Sequence, residues 1–247
     1  MEKICIIGLG NMGNAIFGIL SMIDKFEVLG CERGEPINQY LEESDACIIA
    51  VKPQDFENLC KEVSVDLSNK LVISIMAGVS IERIERLLNA KKVVRVMPNL
   101  PLRIQKSLSG WIASKGVSEE EKKSVRKLLK EFGAEVEVDK EEKINMITAL
   151  SGSGPAYFFR LAEILAIAAK KYGFNDEEAR KIAESTFLGA AELLKTSGER
   201  SCVLREKVTS KGGTTEAAFK SMDSNNIEKI VLEGIEAARR RADELNS

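Results

Sequence analysis

The sequence contains no histidine among its 247 residues, which excludes mechanisms that use an imidazole as acid, base or metal ligand. Its five cysteines are scattered and form no CxxC pair, so a zinc site would have to consist of carboxylates alone, and we expect no bound metal. No apolar run approaches the roughly 18 residues that a membrane helix needs. The formal net charge of −2 gives no reason to expect a nucleic-acid partner.

The N-terminal Met-Glu-Lys leads directly into an apolar strand pattern, which leaves no room for the regions of a signal peptide. Cysteines within apolar runs, such as Cys5 and Cys47, are expected to be reduced and buried. We therefore predict a cytoplasmic protein without a membrane partner.

Proline is confined to the first part of the chain, since none of the five prolines follows Pro155. The apolar spacing after residue 140 predicts helices at 142–171, 176–196, 214–222 and 225–245, the first of them interrupted by SGSGP. Before that point, short β-branched runs predict strands at 3–7, 26–30, 45–51, 70–76, 92–97, 107–114 and 134–138. Helical spacing lies between most of these strands, whereas the segment 33–44 is too short for a usual crossover helix.

Strands that alternate with helices predict an α/β fold with a parallel, doubly wound sheet of the Rossmann type. We place this dinucleotide-binding domain at residues 1–143 and an all-α domain at residues 144–247. A helical domain with a long apolar helix often buries that helix against a second copy, which leads us to expect a homodimer.

The turn after the first predicted strand has the sequence GLGNMG, a GxGxxG pattern that directly precedes a helix. Gly8 suits the tight turn, Gly10 lets the backbone approach a pyrophosphate, and Gly13 allows the helix to pack closely on the strand. The end of the second strand gives two conflicting signals. Glu32 suits the ribose hydroxyls of NAD(H), whereas Arg33 suits the 2′-phosphate of NADP(H). The residues alone leave this choice of nicotinamide cofactor open.

A second pair of glycines lies in VTSKGGTTEAAF, from Val208 to Phe219, directly before a predicted helix. Backbone N–H groups at such a helix start form a site for an anion. The alternative is a loop that merely links two helices.

Five motifs carry a resemblance over nearly the whole chain: IIGLGNMG (6–13), AVKPQ (50–54), RVMPNLP (95–101), ALSGSGPAYFF (149–159) and VTSKGGTT (208–215). In this order and spacing they resemble the pyrroline-5-carboxylate reductases. The resemblance implies an enzyme that reduces the ring C=N bond of 1-pyrroline-5-carboxylate to L-proline with NAD(P)H, the last step of proline biosynthesis. Together with Arg33 it slightly favours NADP(H). It also implies a helical dimerisation domain and dimers that assemble further into rings.

The same resemblance implies roles for individual residues. The cofactor-binding residues would be Gly8, Leu9, Gly10, Asn11, Met12, Gly13, Ala50, Val51, Lys52, Pro53, Met97, Pro98 and Asn99. The spacing after the glycine turn adds Glu32 and Arg33 to this set. The substrate-binding residues would be Ser210, Gly212, Gly213, Thr214 and Thr215, with the hydroxyl of Thr215 as the catalytic group. The family also has an asparagine on the adenosine side of the cofactor, and Asn38 comes nearest to it, offset by about one position. The second anion would then be the carboxylate of the imino acid.

The absence of histidine agrees with this chemistry, because an imine nitrogen is more basic than a carbonyl oxygen and can take its proton from solvent. A threonine hydroxyl that orients the nitrogen is then sufficient. Four residues depart from the family pattern, namely Leu100, Gln105, Ser107 and Lys211. These departures leave open a reductase that acts on another cyclic imino acid.

Two further interpretations remain open at this point. A β-hydroxyacid dehydrogenase would use a lysine as proton donor, and Lys143 lies near the required place, although the glycine-rich approach to that lysine is absent. A non-catalytic dinucleotide-sensing dimer would use the helical part only as an interface.

Overall fold

A computed structural model of the chain describes residues 2–245, which form one seven-stranded sheet and eleven α-helices. The strands are β1 (Lys3–Ile7), β2 (Glu27–Cys31), β3 (Ala46–Ile49), β4 (Leu71–Ser74), β5 (Lys92–Met97), β6 (Ser107–Ala113) and β7 (Gly133–Glu137). Each lies where a strand was predicted. The sequence identifies β1, β3, β4 and β5 best, because continuous apolar runs are typical of strands that are buried on both faces.

The helices within the same described range are α1 (Asn11–Ser21), α2 (Ile37–Glu43), α3 (Phe56–Glu62), α4 (Ile81–Leu88), α5 (Glu119–Lys130), α6 (Glu142–Ile147), α7 (Gly154–Lys171), α8 (Asp176–Ser197), α9 (Ser201–Lys207), α10 (Thr214–Ser224) and α11 (Ile227–Glu244). Short 3₁₀ turns cover Pro53–Asp55 and Leu100–Ile104, and a π-helical turn covers Thr148–Gly152. Capping boxes begin two helices: Ser118 with Glu121 caps α5, and Asn175 with Glu178 caps α8.

The strand order is β2-β1-β3-β4-β5-β6-β7. Neighbouring strands are parallel, with the exception of the pair β5 and β6, which is antiparallel. After β1 the chain moves first to β2 on one side and then to β3 on the other. In doubly wound sheets such a reversal opens a crevice at the carboxyl ends of the strands, where ligands bind.

Apolar side chains from both faces of the sheet form two separate cores. Ile4, Ile6 and Ile48 pack with α1 and α5 on one face. Cys5, Cys47 and Ile49 pack with α2, α3 and α4 on the other face. Successive residues of a strand point to opposite faces of the sheet, and here helices cover the apolar side chains on both faces. The predicted Rossmann-type α/β fold is therefore confirmed.

The helix at 142–171 is interrupted as predicted, since it is divided into α6, a π turn and α7. Two details of the secondary structure differ from the expectations. A two-turn helix, α2, forms in the segment that was judged too short for one. The helix α9, between Gly198 and the second glycine loop, was not predicted. Its seven residues are too few to show a clear helical spacing of apolar side chains.

The chain divides into two compact units. One includes the residues up to Pro155 together with the end of α11 from Ala237 onward, and the other runs from Ala156 to Glu236. Within the first unit, Asn145 Nδ2 donates to Asp243 Oδ1 at 2.9 Å, and a Cβ added to Gly78 would lie 2.6 Å from the Leu245 carbonyl oxygen. Helix α11 therefore brings the chain back to the unit that contains the sheet. Across residues 2–245, no helix is long and apolar enough to cross a membrane.

Candidate active site

The glycine turn that follows β1 is tightly packed at two of its three glycines. Gly8 has φ +93°, and a Cβ added to it would lie 2.9 Å from Val51 Cγ1. A Cβ added to Gly13 would lie 2.0 Å from the Gly8 carbonyl oxygen, so α1 can approach the turn closely only if this residue is glycine. These two glycines fix the position of the helix start.

Gly10 has a different environment, since a Cβ added there would meet no atom within 4 Å. It is the N-cap of α1, and its carbonyl oxygen accepts from the Asn14 N–H at 2.9 Å. The first turn of α1, which includes Asn11 and Met12, contains no acidic residue. An open backbone at the positive end of a helix fits a pyrophosphate, so the residues present fit a dinucleotide.

A cavity of about 360 Å³ lies at the carboxyl ends of β1, β2 and β3. It brings together eight of the predicted cofactor residues: Gly8, Leu9, Gly10, Glu32, Arg33, Ala50, Val51 and Lys52. Pro53 begins the 3₁₀ turn that follows Lys52, and Asn11, Met12 and Gly13 continue the glycine turn into α1. The cavity therefore coincides with the crevice that the strand order opens.

Sequence reasoning missed several residues that line this cavity, among them Glu35, Asp55, Asn58 and Glu62. Asp55, Asn58 and Glu62 are brought there by the 3₁₀ turn and α3, which follow the AVKPQ motif. The helical spacing of residues 55, 58 and 62 is a signal that could have identified them.

Asn38 does not line the cavity, and its side chain is engaged elsewhere. The amide Nδ2 donates to the Glu62 carbonyl oxygen at 2.9 Å, while Oδ1 accepts from the Ser64 N–H at 2.7 Å. These bonds connect α2 to the end of α3. The Asn38 side chain is therefore engaged within the fold, and its match to an adenosine-side asparagine stays a prediction.

The residues predicted to lie beside the nicotinamide are Met97, Pro98 and Asn99, at the end of β5 and just after it. Met97 and Asn99 lie beside the π turn. A Cβ added to Gly152 would lie 2.9 Å from Met97 Cε. Asn99 Nδ2 donates to the carbonyl oxygen and to Oγ of Ser151, at 3.1 and 3.0 Å, and Asn99 Oδ1 accepts from the Leu108 N–H at 3.3 Å. One side chain thus joins the end of β5, the π turn and β6. Such π turns are frequent at functional sites.

Two of the four residues that depart from the family pattern have clear structural partners here. Buried Ser107 accepts from the Asn99 N–H through its Oγ at 3.2 Å. Gln105 adopts φ +55°, a conformation that favours glycine, and its side-chain amide donates to the Glu131 carbonyl oxygen at 3.3 Å. Leu100 begins the 3₁₀ turn and is half-exposed. The loop therefore keeps a defined shape without the glycines expected there.

The second glycine loop forms a tight turn before α10. Gly212 has φ +73°, and the Gly213 N–H donates to the Ser210 carbonyl oxygen at 3.0 Å. A Cβ added to Gly213 would lie 2.5 Å from Ser210 Oγ, so this hydroxyl needs the glycine beside it. Glu216 Oε2 accepts from the Gly212 N–H at 2.8 Å. The N–H groups of Gly212 and Gly213 therefore already have acceptors in this loop and in the first turn of α10.

Thr214 and Thr215 are the first two residues of α10, and the N-cap is Gly213, which has no side chain to serve as a cap. Thr215 is half-buried, whereas Thr214 and Lys211 are exposed. Helix capping does not account for the Thr215 hydroxyl, because the N-cap residue, Gly213, comes before both threonines.

Lys143, the residue on which the β-hydroxyacid dehydrogenase interpretation depended, lies on the surface of α6. Its Nζ is 2.6 Å from Asp139 Oδ1, and this bond is the largest cause of the lowered pKa of the Asp139 carboxyl. The amine is therefore held by a surface ion pair with its own neighbour along the chain.

Comparisons with known proteins agree with this geometry. Residues 141–245 match the family described as "Pyrroline-5-carboxylate reductase dimerisation", and residues 34–78 match the one described as "NADP oxidoreductase coenzyme F420-dependent". The pyrroline-5-carboxylate reductase of Vibrio alginolyticus is 38% identical over 82% of this chain and 76% of its own length. The solved structure of the Coxiella burnetii pyrroline-5-carboxylate reductase has a TM-score of 0.90 and 32% identity, covering 100% of this chain and 99% of that one. The Plasmodium falciparum pyrroline carboxylate reductase, solved with NADP bound, has a TM-score of 0.89 and 26% identity, covering 100% and 98%.

The doubly wound sheet, the open glycine turn and the cavity beside it define a dinucleotide-binding oxidoreductase. The relatives share this fold along the full length of the chain. The chain belongs to the pyrroline-5-carboxylate reductase family.

Proposed function

We propose that the chain reduces the ring C=N bond of 1-pyrroline-5-carboxylate to give L-proline, with NAD(P)H as the reductant. The observation that carries this proposal is the open glycine turn at the crevice of a doubly wound sheet, in a chain that belongs to this family. The cofactor is NADP(H), with NAD(H) as the alternative, in agreement with the NADP bound to the Plasmodium relative. When bound, the reduced nicotinamide supplies the hydride for the imine carbon.

The cofactor-binding part of the proposal rests on residues of the sheet-containing unit. The N–H groups at the start of α1, after Gly10, hold the pyrophosphate, and residues 50–53 contact the nucleotide from the end of β3. Met97, Pro98 and Asn99 orient the nicotinamide ring, and the bonds of Asn99 to the π turn keep this segment in place.

The substrate-binding part rests on the second glycine loop. Ser210, Gly212, Gly213 and Thr214 hold the substrate carboxylate through N–H groups and hydroxyls at the start of α10. The helix dipole contributes about 0.3–2 kcal/mol to the binding of an anion at a helix N-terminus, and charge-assisted hydrogen bonds add about 1.5–3 kcal/mol. The Gly212 N–H donates to the carboxylate of Glu216, so a bound substrate carboxylate would take the place of this side chain.

Thr215 is the proposed catalytic residue. The imine nitrogen takes its proton from solvent, and the Thr215 hydroxyl orients the nitrogen by a hydrogen bond as the hydride arrives. A chain without histidine can carry out this reaction because no strong acid is needed.

We further infer that residues 1–143 form the dinucleotide-binding domain and that residues 144–247 form the dimerisation and substrate domain. The match of the dimerisation family, which begins at residue 141, supports this boundary. The chain forms a homodimer through its helical part, the dimers assemble into a ring, and the protein functions in the cytoplasm.

The decisive experiment is to add 1-pyrroline-5-carboxylate to the purified chain with NADPH or NADH and to follow oxidation of the nicotinamide by absorbance. We expect oxidation in proportion to the L-proline formed. A six-membered cyclic imino acid and a β-hydroxyacid with the oxidised cofactor serve as competing substrates. A higher kcat/KM with either of these, or cofactor binding without turnover of any of them, would contradict the proposal.

A further inference from the structure

More of the charged residues that line the cavity beside the glycine turn are acidic than basic. They are four carboxylates and two cations: Glu32, Glu35, Asp55, Glu62, Arg33 and Lys52. A 2′-phosphate on the adenosine ribose would bring about two further negative charges into the cavity, whereas the ribose hydroxyls of NADH would bring none. The choice between the two cofactors therefore depends on which of these side chains face the ribose.

Glu35 is held in place by the loop that follows β2. Its Oε2 accepts from the Glu32 N–H at 2.6 Å, and its own N–H donates to the Glu32 carbonyl oxygen at 3.3 Å. Gly34, with φ +89°, allows the chain to turn back between them. The Glu35 carboxylate thereby occupies a backbone N–H at the end of β2, next to Arg33.

The charge of Glu35 also reaches the groups around it. The pKa of the Cys31 thiol is raised to about 11, first by burial and then by the charges of Glu35 and Glu62. The pKa of Tyr40 is raised first by burial and then by the charge of Glu35. Cys31 and Glu35 both line the cavity, so the charge of Glu35 acts on a group within that lining.

We propose that Glu35 is the specificity-determining residue that lowers the affinity of this chain for the 2′-phosphate of NADPH. The inference rests on the proposed NAD(P)H-dependent function. Arg33 attracts the phosphate, Glu32 binds the ribose hydroxyls, and Glu35 opposes the phosphate by its negative charge, which the bond to the Glu32 N–H holds beside Arg33. The ratio of the NADPH and NADH affinities is thus determined by three neighbouring residues and not by Glu32 and Arg33 alone.

The test is an equilibrium titration of the full-length chain with NADPH and with NADH, followed by nicotinamide fluorescence. Glu35→Gln keeps the shape and removes the charge, so the Kd for NADPH should fall by about 5- to 10-fold, the size of a like-charge repulsion in a solvated site. The Kd for NADH should change by less than about twofold, because its ribose carries no phosphate. Glu42→Gln is the matched control, since Glu42 lies exposed on α2 outside the cavity lining and should change neither value.

Glu35→Asp keeps the charge and shortens the side chain, so it should leave NADPH binding within about twofold of the unchanged chain. An equal shift of both cofactors in Glu35→Gln, or no shift at all, overturns the inference, and so does a failure of the chain to bind either cofactor. Binding with the expected ratio but without reduction of 1-pyrroline-5-carboxylate would refute the proposed function while leaving the role of Glu35 intact.

Discussion

Gly10 and Gly13 lie in the same turn, yet the structure gives them separable roles. A carboxylate at Gly10 has room in the protein, because a Cβ there meets nothing within 4 Å, but it would stand where the pyrophosphate binds. We therefore expect Gly10→Asp to keep its melting temperature and to lose cofactor binding, measured as the loss of the stabilisation by NADPH. In Gly13→Ala the free energy of unfolding should instead fall by about 2 kcal/mol or more, because the added Cβ would lie 2.0 Å from the Gly8 carbonyl oxygen. A Gly10→Asp variant that NADPH still stabilises would exclude this turn as the pyrophosphate site.

Thr215 provides the sharpest test of the proposed chemistry. Thr215→Ala removes one hydrogen bond at the reacting centre, for which we expect a loss of about 1–3 kcal/mol, or roughly 5- to 150-fold in kcat/KM. Thr215→Ser should retain much of the activity, since the hydroxyl is kept. The Kd for the cofactor should be nearly unchanged in both variants.

Melting temperature and steady-state kinetics should be measured on the same preparations of these variants. Because the N-cap of α10 is Gly213, we expect only a small change in the stability of Thr215→Ala. A lowered melting temperature combined with full activity would assign Thr215 to the fold and not to the reaction.

Among the structural elements, the π turn is tied to its surroundings by Asn99. Asn99→Ala would remove the two bonds to Ser151 and the bond from the Leu108 N–H, and we expect the free energy of unfolding to fall by about 1–3 kcal/mol. Asn99→Asp keeps the acceptor for the Leu108 N–H and loses the donors to Ser151. Its free energy of unfolding should therefore lie between those of the unchanged chain and Asn99→Ala. Denaturant unfolding gives these values, and equal stabilities for all three proteins would show that the turn is held by other contacts.

The same variants separate support of the turn from cofactor binding. If the π turn positions the segment that follows β5, loss of the Asn99 side chain should weaken NADPH binding more than loss of a surface hydrogen bond does. Gln105→Ala, which removes a bond from an exposed side chain to Glu131, is the comparison. Equal NADPH affinities in the two variants would leave Asn99 with a structural role alone.

The elements that could be predicted from the sequence are those that depend on residues close together along the chain. The strands and α1 follow from runs of buried residues and from a glycine turn, which are visible within a few positions. The antiparallel direction of β6 depends on pairs such as Met97 with Gly110, which only the folded chain brings together. The π turn likewise depends on the contact of Gly152 with Met97, and the role of Asn38 depends on the end of α3. Family motifs and the spacing of Glu32 and Arg33 predicted half of the residues that line the cavity, whereas Glu35 required the hydrogen bond to the Glu32 N–H.

The unit from Ala156 to Glu236 exposes many large apolar side chains. They include Phe158, Phe159, Leu161, Ile164, Leu188, Leu193, Ile230 and Val231. Apolar surface of this extent is typical of an interface, in agreement with the dimerisation family that matches this part of the chain.

We therefore expect light scattering at micromolar concentration to give at least twice the 27.2 kDa mass of one chain. Phe158→Asp, which places a charge at a side chain that is 60% exposed in the single chain, should reduce the mass toward that of a monomer. Lys181→Asp on α8 introduces the same side chain at an exposed polar position and serves as the control. A fully active monomer of the unchanged chain would refute the dimer.

The return of α11 to the sheet-containing unit has a consequence for synthesis on the ribosome. Asp243 bonds to Asn145 across 98 positions of sequence, and the backbone at Leu245 lies beside Gly78. The first unit therefore lacks these contacts until α11 has been translated and has left the exit tunnel. Because contacts between distant residues form slowly, the emerging sheet and its helices pass a period without the end of α11. A premature stop codon before α11 would consequently damage the cofactor-binding half as well as the helical one.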